Sequence, residues 1–126
     1  MSSILLVDDH LSVRCSVGDV LRDAGYQVSE AANAAQALKL LERRSFDLLI
    51  VDYLLPEMKG DAVARIARER WPNLRVMFLS GYAEFLSVTG KSGDDTLIQK
   101  PISVDALCKA VAFALRGSAS LRSAAA

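Results

Sequence analysis

Unbroken apolar runs alternate with stretches of helical periodicity along the whole chain. Ile4, Leu5, Leu6 and Val7 form the first run, and Leu48, Leu49, Ile50 and Val51 the second. Each is too short for a helix and suits a strand buried on both faces of a parallel sheet. Leu74–Leu79 is a third such run, interrupted only by Arg75, and Tyr26–Glu30 and Thr96–Gln99 are shorter strands. Between them lie stretches with apolar residues three and four apart. Leu11–Ala24 places Val13, Val17, Val20 and Leu21 on one face and ends at Gly25. Gly18 inside it costs about 1 kcal/mol relative to alanine. Ala34–Arg44 carries the stripe Ala37, Leu38 and Leu41, with Asn33 as its N-cap.

Asp47–Val51 is the central strand, and Tyr53–Lys59 is a loop bracketed by Pro56 and Gly60. Asp61 opens a helix over Ala62–Arg70, which Trp71-Pro72 terminates because a residue before proline avoids the helical region. Tyr82–Lys91 is weakly helical, and Ser92–Asp95 is a turn-rich loop. Ser103 caps Val104–Arg116, with Leu107, Val111 and Leu115 at core spacing. Residues 1–117 read as one domain and 118–126 as a flexible tail or the start of a linker.

Strand and helix alternate five times with short connections, which implies an α/β fold: a doubly wound five-stranded parallel sheet with helices on both faces. Right-handed crossovers leave few topologies, and the order 2-1-3-4-5 is the common one. It sets the first and third strands side by side at the centre, where the winding reverses. Ligands gather beyond the carboxyl ends of strands at such a point.

Both central strands end in acids: Asp8 and Asp9 follow the first, Asp52 the third. Three carboxylates at one sheet edge repel one another, and the cluster becomes favourable when a hard divalent cation binds. Mg²⁺ suits such oxygen donors. Ser80 and Lys100 close the fourth and fifth strands and add a hydroxyl donor and a mobile ammonium. A metal, an ammonium and a hydroxyl converging on one place stabilise the equatorial oxygens of a phosphoryl group. Asp52, the central carboxylate, is then the candidate nucleophile, since carboxylates form aspartyl-phosphates in covalent catalysis. His10 belongs to the rim of this crevice, and Tyr53, pointing away from Asp52, to packing or the rim.

Composition narrows the alternatives. Lysine plus arginine equals aspartate plus glutamate, 15 each, so net charge gives no case for nucleic acid or a membrane surface. No apolar run approaches the length of a membrane span, no signal peptide is expected, and Cys15 and Cys108 read as free thiols of a reducing cytoplasm.

The set LLVDD, Asp52 in LLIVDYLLPEMKG, Ser80 in FLSG and Lys100-Pro101 in LIQKP resembles the receiver domain of two-component response regulators, over about Ile4 to Arg116. The resemblance implies a flavodoxin-like fold and makes Asp52 the phosphoacceptor, served by a histidine kinase or a histidine phosphotransfer protein. It makes Asp9 a direct Mg²⁺ ligand, Asp8 a ligand through water, and the backbone carbonyl of Leu54 the third protein ligand. Ser80 and Lys100 match the family's hydroxyl and lysine, and a cis Lys100-Pro101 bond is implied. It also offers the face formed by Tyr82–Lys91, Thr96–Gln99 and Val104–Arg116 for partners or a homodimer.

Leu97 stands where many receivers carry an aromatic switch residue, so that switch is absent, and Tyr82 is a candidate substitute. With Leu54 and Tyr82 flanking the site, slow self-dephosphorylation is expected. The expected protein is a cytoplasmic signalling switch, not an enzyme acting on other substrates, with its output lying outside these residues. It resembles receivers of hybrid histidine kinases or single-domain response regulators. Two rivals are a receiver-like interaction module that is never phosphorylated and a small Mg²⁺-dependent aspartyl-phosphate phosphatase. The second lacks the further acid such enzymes use, because that position holds Leu54.

Overall fold

A computed structural model describes residues 2–53, 55, 58–80, 96–99 and 103–125. In chain order the elements are β1 (Ser3–Val7), α1 (Leu11–Asp23), β2 (Gln27–Ala31), α2 (Ala34–Arg43), β3 (Leu48–Asp52), α3 (Gly60–Arg70), β4 (Arg75–Ser80), β5 (Thr96–Gln99) and α4 (Val104–Ala125). All pairings are parallel, and the strands lie in the order β2-β1-β3-β4, with β5 paired beside β4.

The register explains why both central strands are apolar throughout. Ile4 pairs with Leu48 and Leu5 with Leu49, so successive residues of β1 and β3 face opposite sides of the sheet together. Leu5, Val7, Leu49 and Val51 pack with Ala37 and Leu41 of α2 and Val63, Ala64 and Ala67 of α3. Ile4, Leu6, Leu48 and Ile50 pack with Val17 and Leu21 of α1 and Leu107 and Val111 of α4. All eight strand residues are fully buried, and each contributes about 1.5–3 kcal/mol. Two helical layers therefore hold the sheet rigid and leave its edges for polar groups, the acids that follow β1 and end β3 among them.

The connections follow from local chemistry. Asn33 Oδ1 accepts from the Gln36 backbone N–H at 2.9 Å, while Gln36 Oε1 accepts from the Ala32 N–H at 2.8 Å, a reciprocal cap on α2. At the end of α1, Gly25 adopts φ +100°. Its N–H reaches the Arg22 carbonyl, and the Tyr26 N–H reaches that of Leu21, the paired bonds of a Schellman ending. Ser103 Oγ accepts from the Ala106 N–H at 3.1 Å to cap α4. Gly18 has a packing reason: a Cβ there would stand 3.1 Å from Arg22 Nη1 and 3.3 Å from Glu30 Oε2, crowding an ion pair between α1 and β2.

Three differences from the sequence expectation stand out. β3 takes in Asp52 itself rather than stopping at Val51. α3 begins at Gly60, ahead of Asp61. The last helix does not end at Arg116 but continues through Gly117 to Ala125, because the alanines and Leu121 that follow favour helix and offset the single glycine. The Tyr82–Lys91 helix and the Ser92–Asp95 loop lie outside the described residues.

Candidate functional site

β1 and β3 stop at the same level, so their terminal acids meet. Asp8 is fully buried and Asp52 is 4% exposed, whereas the Asp9 side chain is 30% exposed. Asp8, Asp9, His10 and Asp52 each bring a ligand atom to within 4.8 Å of the others. The three carboxylates that the sequence reading set at one sheet edge do lie together. Oxygen donors of like charge at this spacing fit a hard divalent cation, which would offset their repulsion.

The surrounding backbone is fixed from several sides. The Asp8 N–H donates to the Ala31 carbonyl at 3.1 Å, and the Tyr53 N–H to that of Leu79 at 2.8 Å. Tyr53 is buried, edge-on to Phe78 at a centroid distance of 6.1 Å, so it packs rather than lining the rim. The loop after β3 folds back until the Gly60 N–H donates to the Tyr53 carbonyl at 2.6 Å. A Cβ on Gly60 would collide with the Asp52 carbonyl oxygen and come within 2.8 Å of Tyr53 Cα. Only glycine lets α3 begin so close to Asp52.

Arg14 and its partner Glu30 went unnoticed in the sequence. Arg14, one turn into α1, donates from Nη1 to the Asp8 carbonyl at 2.7 Å and from Nε to Glu30 Oε1 at 3.1 Å. Glu30 in turn accepts from Arg22 Nη2 at 2.9 Å. Arg14 therefore ties the peptide that positions the acidic pair to α1 and β2. The available signal was its place on α1 one turn after the acids, beside a strand that carries Glu30 next to its end. His10, expected at the rim, is 64% exposed yet holds Nδ1 at 3.3 Å from both Asp8 Oδ1 and Asp9 Oδ1.

Ser80 closes β4 beside Asp52, whose Cα partner is Leu79; its side chain lies outside the described residues, as do Lys100, the Lys100-Pro101 bond, the Leu54 carbonyl and Tyr82. Cys15 and Cys108 are free thiols, and no helix among the described residues is long and apolar enough to cross a membrane.

Residues 4–112 match the family model of the response regulator receiver domain. The chain is similar to the response regulator receiver protein CpdR of Brucella abortus (strain 2308), with 40% identity over 83 residues, covering 66% of this chain and 69% of that protein. It is also similar to the sporulation initiation phosphotransferase F of Bacillus subtilis (strain 168), with 31% identity over 110 residues and coverage of 86% and 89%. The solved receiver domain of the hybrid histidine kinase CckA superposes with a TM-score of 0.76 at 32% identity, covering 90% of this chain and 98% of that one.

Proposed function

This chain belongs to the response regulator receiver domain family, and from that premise we propose that it is a phosphoacceptor switch whose reacting group is the Asp52 carboxylate. The observation that carries the reading is the meeting of Asp8, Asp9 and Asp52 within one 4.8 Å cluster at the sheet's carboxyl edge. A phosphohistidine on a histidine kinase or a phosphotransfer protein is the donor. An Asp52 oxygen attacks its phosphorus, the new P–O bond forms as the P–N bond breaks, and the imidazole leaves with the electron pair and takes a proton from water. Mg²⁺, when bound by Asp8, Asp9, Asp52 and the Leu54 carbonyl, supplies charge neutralisation for the incoming phosphoryl group.

The chain's own contribution is placement. Burial keeps Asp52 in a fixed direction at the end of a rigid strand, and Arg14 and Gly60 hold the backbones on either side. Ser80 and Lys100 are assigned the hydroxyl and ammonium that meet the phosphoryl oxygens. Leu11 (62% exposed) and Val104 (61% exposed) open α1 and α4. Both helices start at the carboxyl edge, so this apolar pair gives a donor protein something to dock on around the acids. Further partners, a second copy included, fall to the face that contains α4, where Phe113 is 69% exposed.

In this reading the protein catalyses only its own phosphorylation and slow dephosphorylation, in the cytoplasm, and signals through protein contacts. Incubation with Mg²⁺ and acetyl phosphate followed by intact mass should show one added phosphoryl group, absent without Mg²⁺ and absent in Asp52→Asn. A folded wild type that gains no mass would instead favour an interaction module that is never phosphorylated.

A further inference from the structure

His10 occupies the N-cap of α1, a position that favours serine, threonine, aspartate or asparagine. Its side chain makes no capping bond. The imidazole turns the other way, with Nδ1 3.3 Å from an oxygen of each acid of the pair. Its own N–H donates to Asp8 Oδ1 at 2.9 Å, which fixes the backbone from which the ring projects. The ring is 64% exposed, so packing does not account for its orientation. A ring nitrogen of His10 therefore belongs to the same 4.8 Å cluster as the three carboxylates.

We propose that His10 is a specificity-determining ligand that makes this cup a mixed nitrogen–oxygen site, selecting first-row divalent transition ions such as Mn²⁺ and Co²⁺ over Mg²⁺. The inference rests on the reading of the carboxylates as the metal site and concerns which ion they hold. Carboxylates serve Mg²⁺ and Mn²⁺ alike, whereas imidazole adds affinity for the softer transition ions and little for Mg²⁺. The cup then holds Mg²⁺ through its oxygens alone and a transition ion through oxygens and nitrogen.

The chain contains a single histidine, so a coordinated imidazole can come from nowhere else in untagged protein. Pulsed electron paramagnetic resonance of Mn²⁺-loaded wild type should show ¹⁴N coupling from a directly bound imidazole, and His10→Ala should abolish it. Because the side chain caps nothing, the variant keeps its helix start. Calorimetric titration of the same pair should show Co²⁺ affinity falling by about tenfold or more, at least the usual cost of losing even an outer partner of a ligand. Mg²⁺ affinity should change by a smaller factor than Co²⁺ affinity, because imidazole adds little for Mg²⁺. Absence of ¹⁴N coupling in wild type, its persistence in His10→Ala, or an unchanged Co²⁺ affinity each overturns the role of His10 while leaving the carboxylate cup standing. Failure of wild type to bind Mg²⁺, Mn²⁺ or Co²⁺ at all would remove the cup and this inference with it.

Discussion

At the amino edge of the sheet, Arg44, Arg70 and Arg75 line a cavity of about 440 Å³ together with Phe46, Trp71 and Leu115. At the carboxyl edge, Asp8, Asp9 and Asp52 converge within a few ångströms. The two edges carry opposite charge in a chain whose net charge is zero, and they handle it differently. Arg70 reaches Glu42 at 2.8 Å and lies over the Trp71 ring, while Arg44 lies over Phe46 and donates to Ser29 Oγ. Arg70 and Arg44 are thus each held by partners of their own. The acids are instead pressed against each other, two of them deep in the sheet, where burial sharpens repulsion. A cation has more to gain at the second edge, although composition alone shows no bias at all.

The largest expected effect follows from that contrast. Mg²⁺ at a hundred times its dissociation constant should stabilise the fold by about 2.7 kcal/mol, read as a rise in the thermal or urea midpoint. Asp9→Asn should remove most of that gain, and Arg70→Ala should keep all of it.

Two glycines sharpen the comparison next. Gly60→Ala forces a Cβ against the Asp52 backbone; it should cost about 1–3 kcal/mol as overpacking does and weaken Mg²⁺ binding with it. Gly25→Ala, at φ +100° with nothing within 4 Å, should cost about 1–2 kcal/mol through backbone strain alone and leave Mg²⁺ affinity unchanged. Urea midpoints and calorimetry on the same two proteins separate the effects.

Arg14→Ala comes third. Losing its bonds to the Asp8 carbonyl and to Glu30 should cost about 1 kcal/mol and lower Mg²⁺ affinity by a measurable factor, because the peptide carrying the acids loosens. The smallest effect belongs to Arg70→Ala, whose half-exposed pair with Glu42 should contribute less than about 1 kcal/mol and leave phosphorylation unaffected.

The central strands and their acids were legible because a strand buried on both faces has no room for a polar residue until it ends. Ile4–Val7 and Leu48–Val51 announce themselves, and the first polar residues after them mark the site. The helix caps at Asn33 and Ser103 and the break at Gly25 were legible for the same local reason. What escaped the sequence depends on distance in space. That Arg14 grips the Asp8 carbonyl follows from how α1 crosses β1 and β2, which no spacing rule encodes. That His10 turns toward two carboxylates rather than capping its helix depends on side-chain direction. The length of α4 was misjudged because the small and polar stretch from Gly117 reads as a tail, although the alanines and Leu121 within it favour helix.

The direct test of the account is a backbone amide chemical-shift titration with Mg²⁺. Saturable shifts should concentrate at Asp8, Asp9, His10, Asp52 and Tyr53, fit one site, and leave Arg70, Trp71 and Arg75 unmoved. Shifts scattered over both edges, or none at the acids, would contradict it.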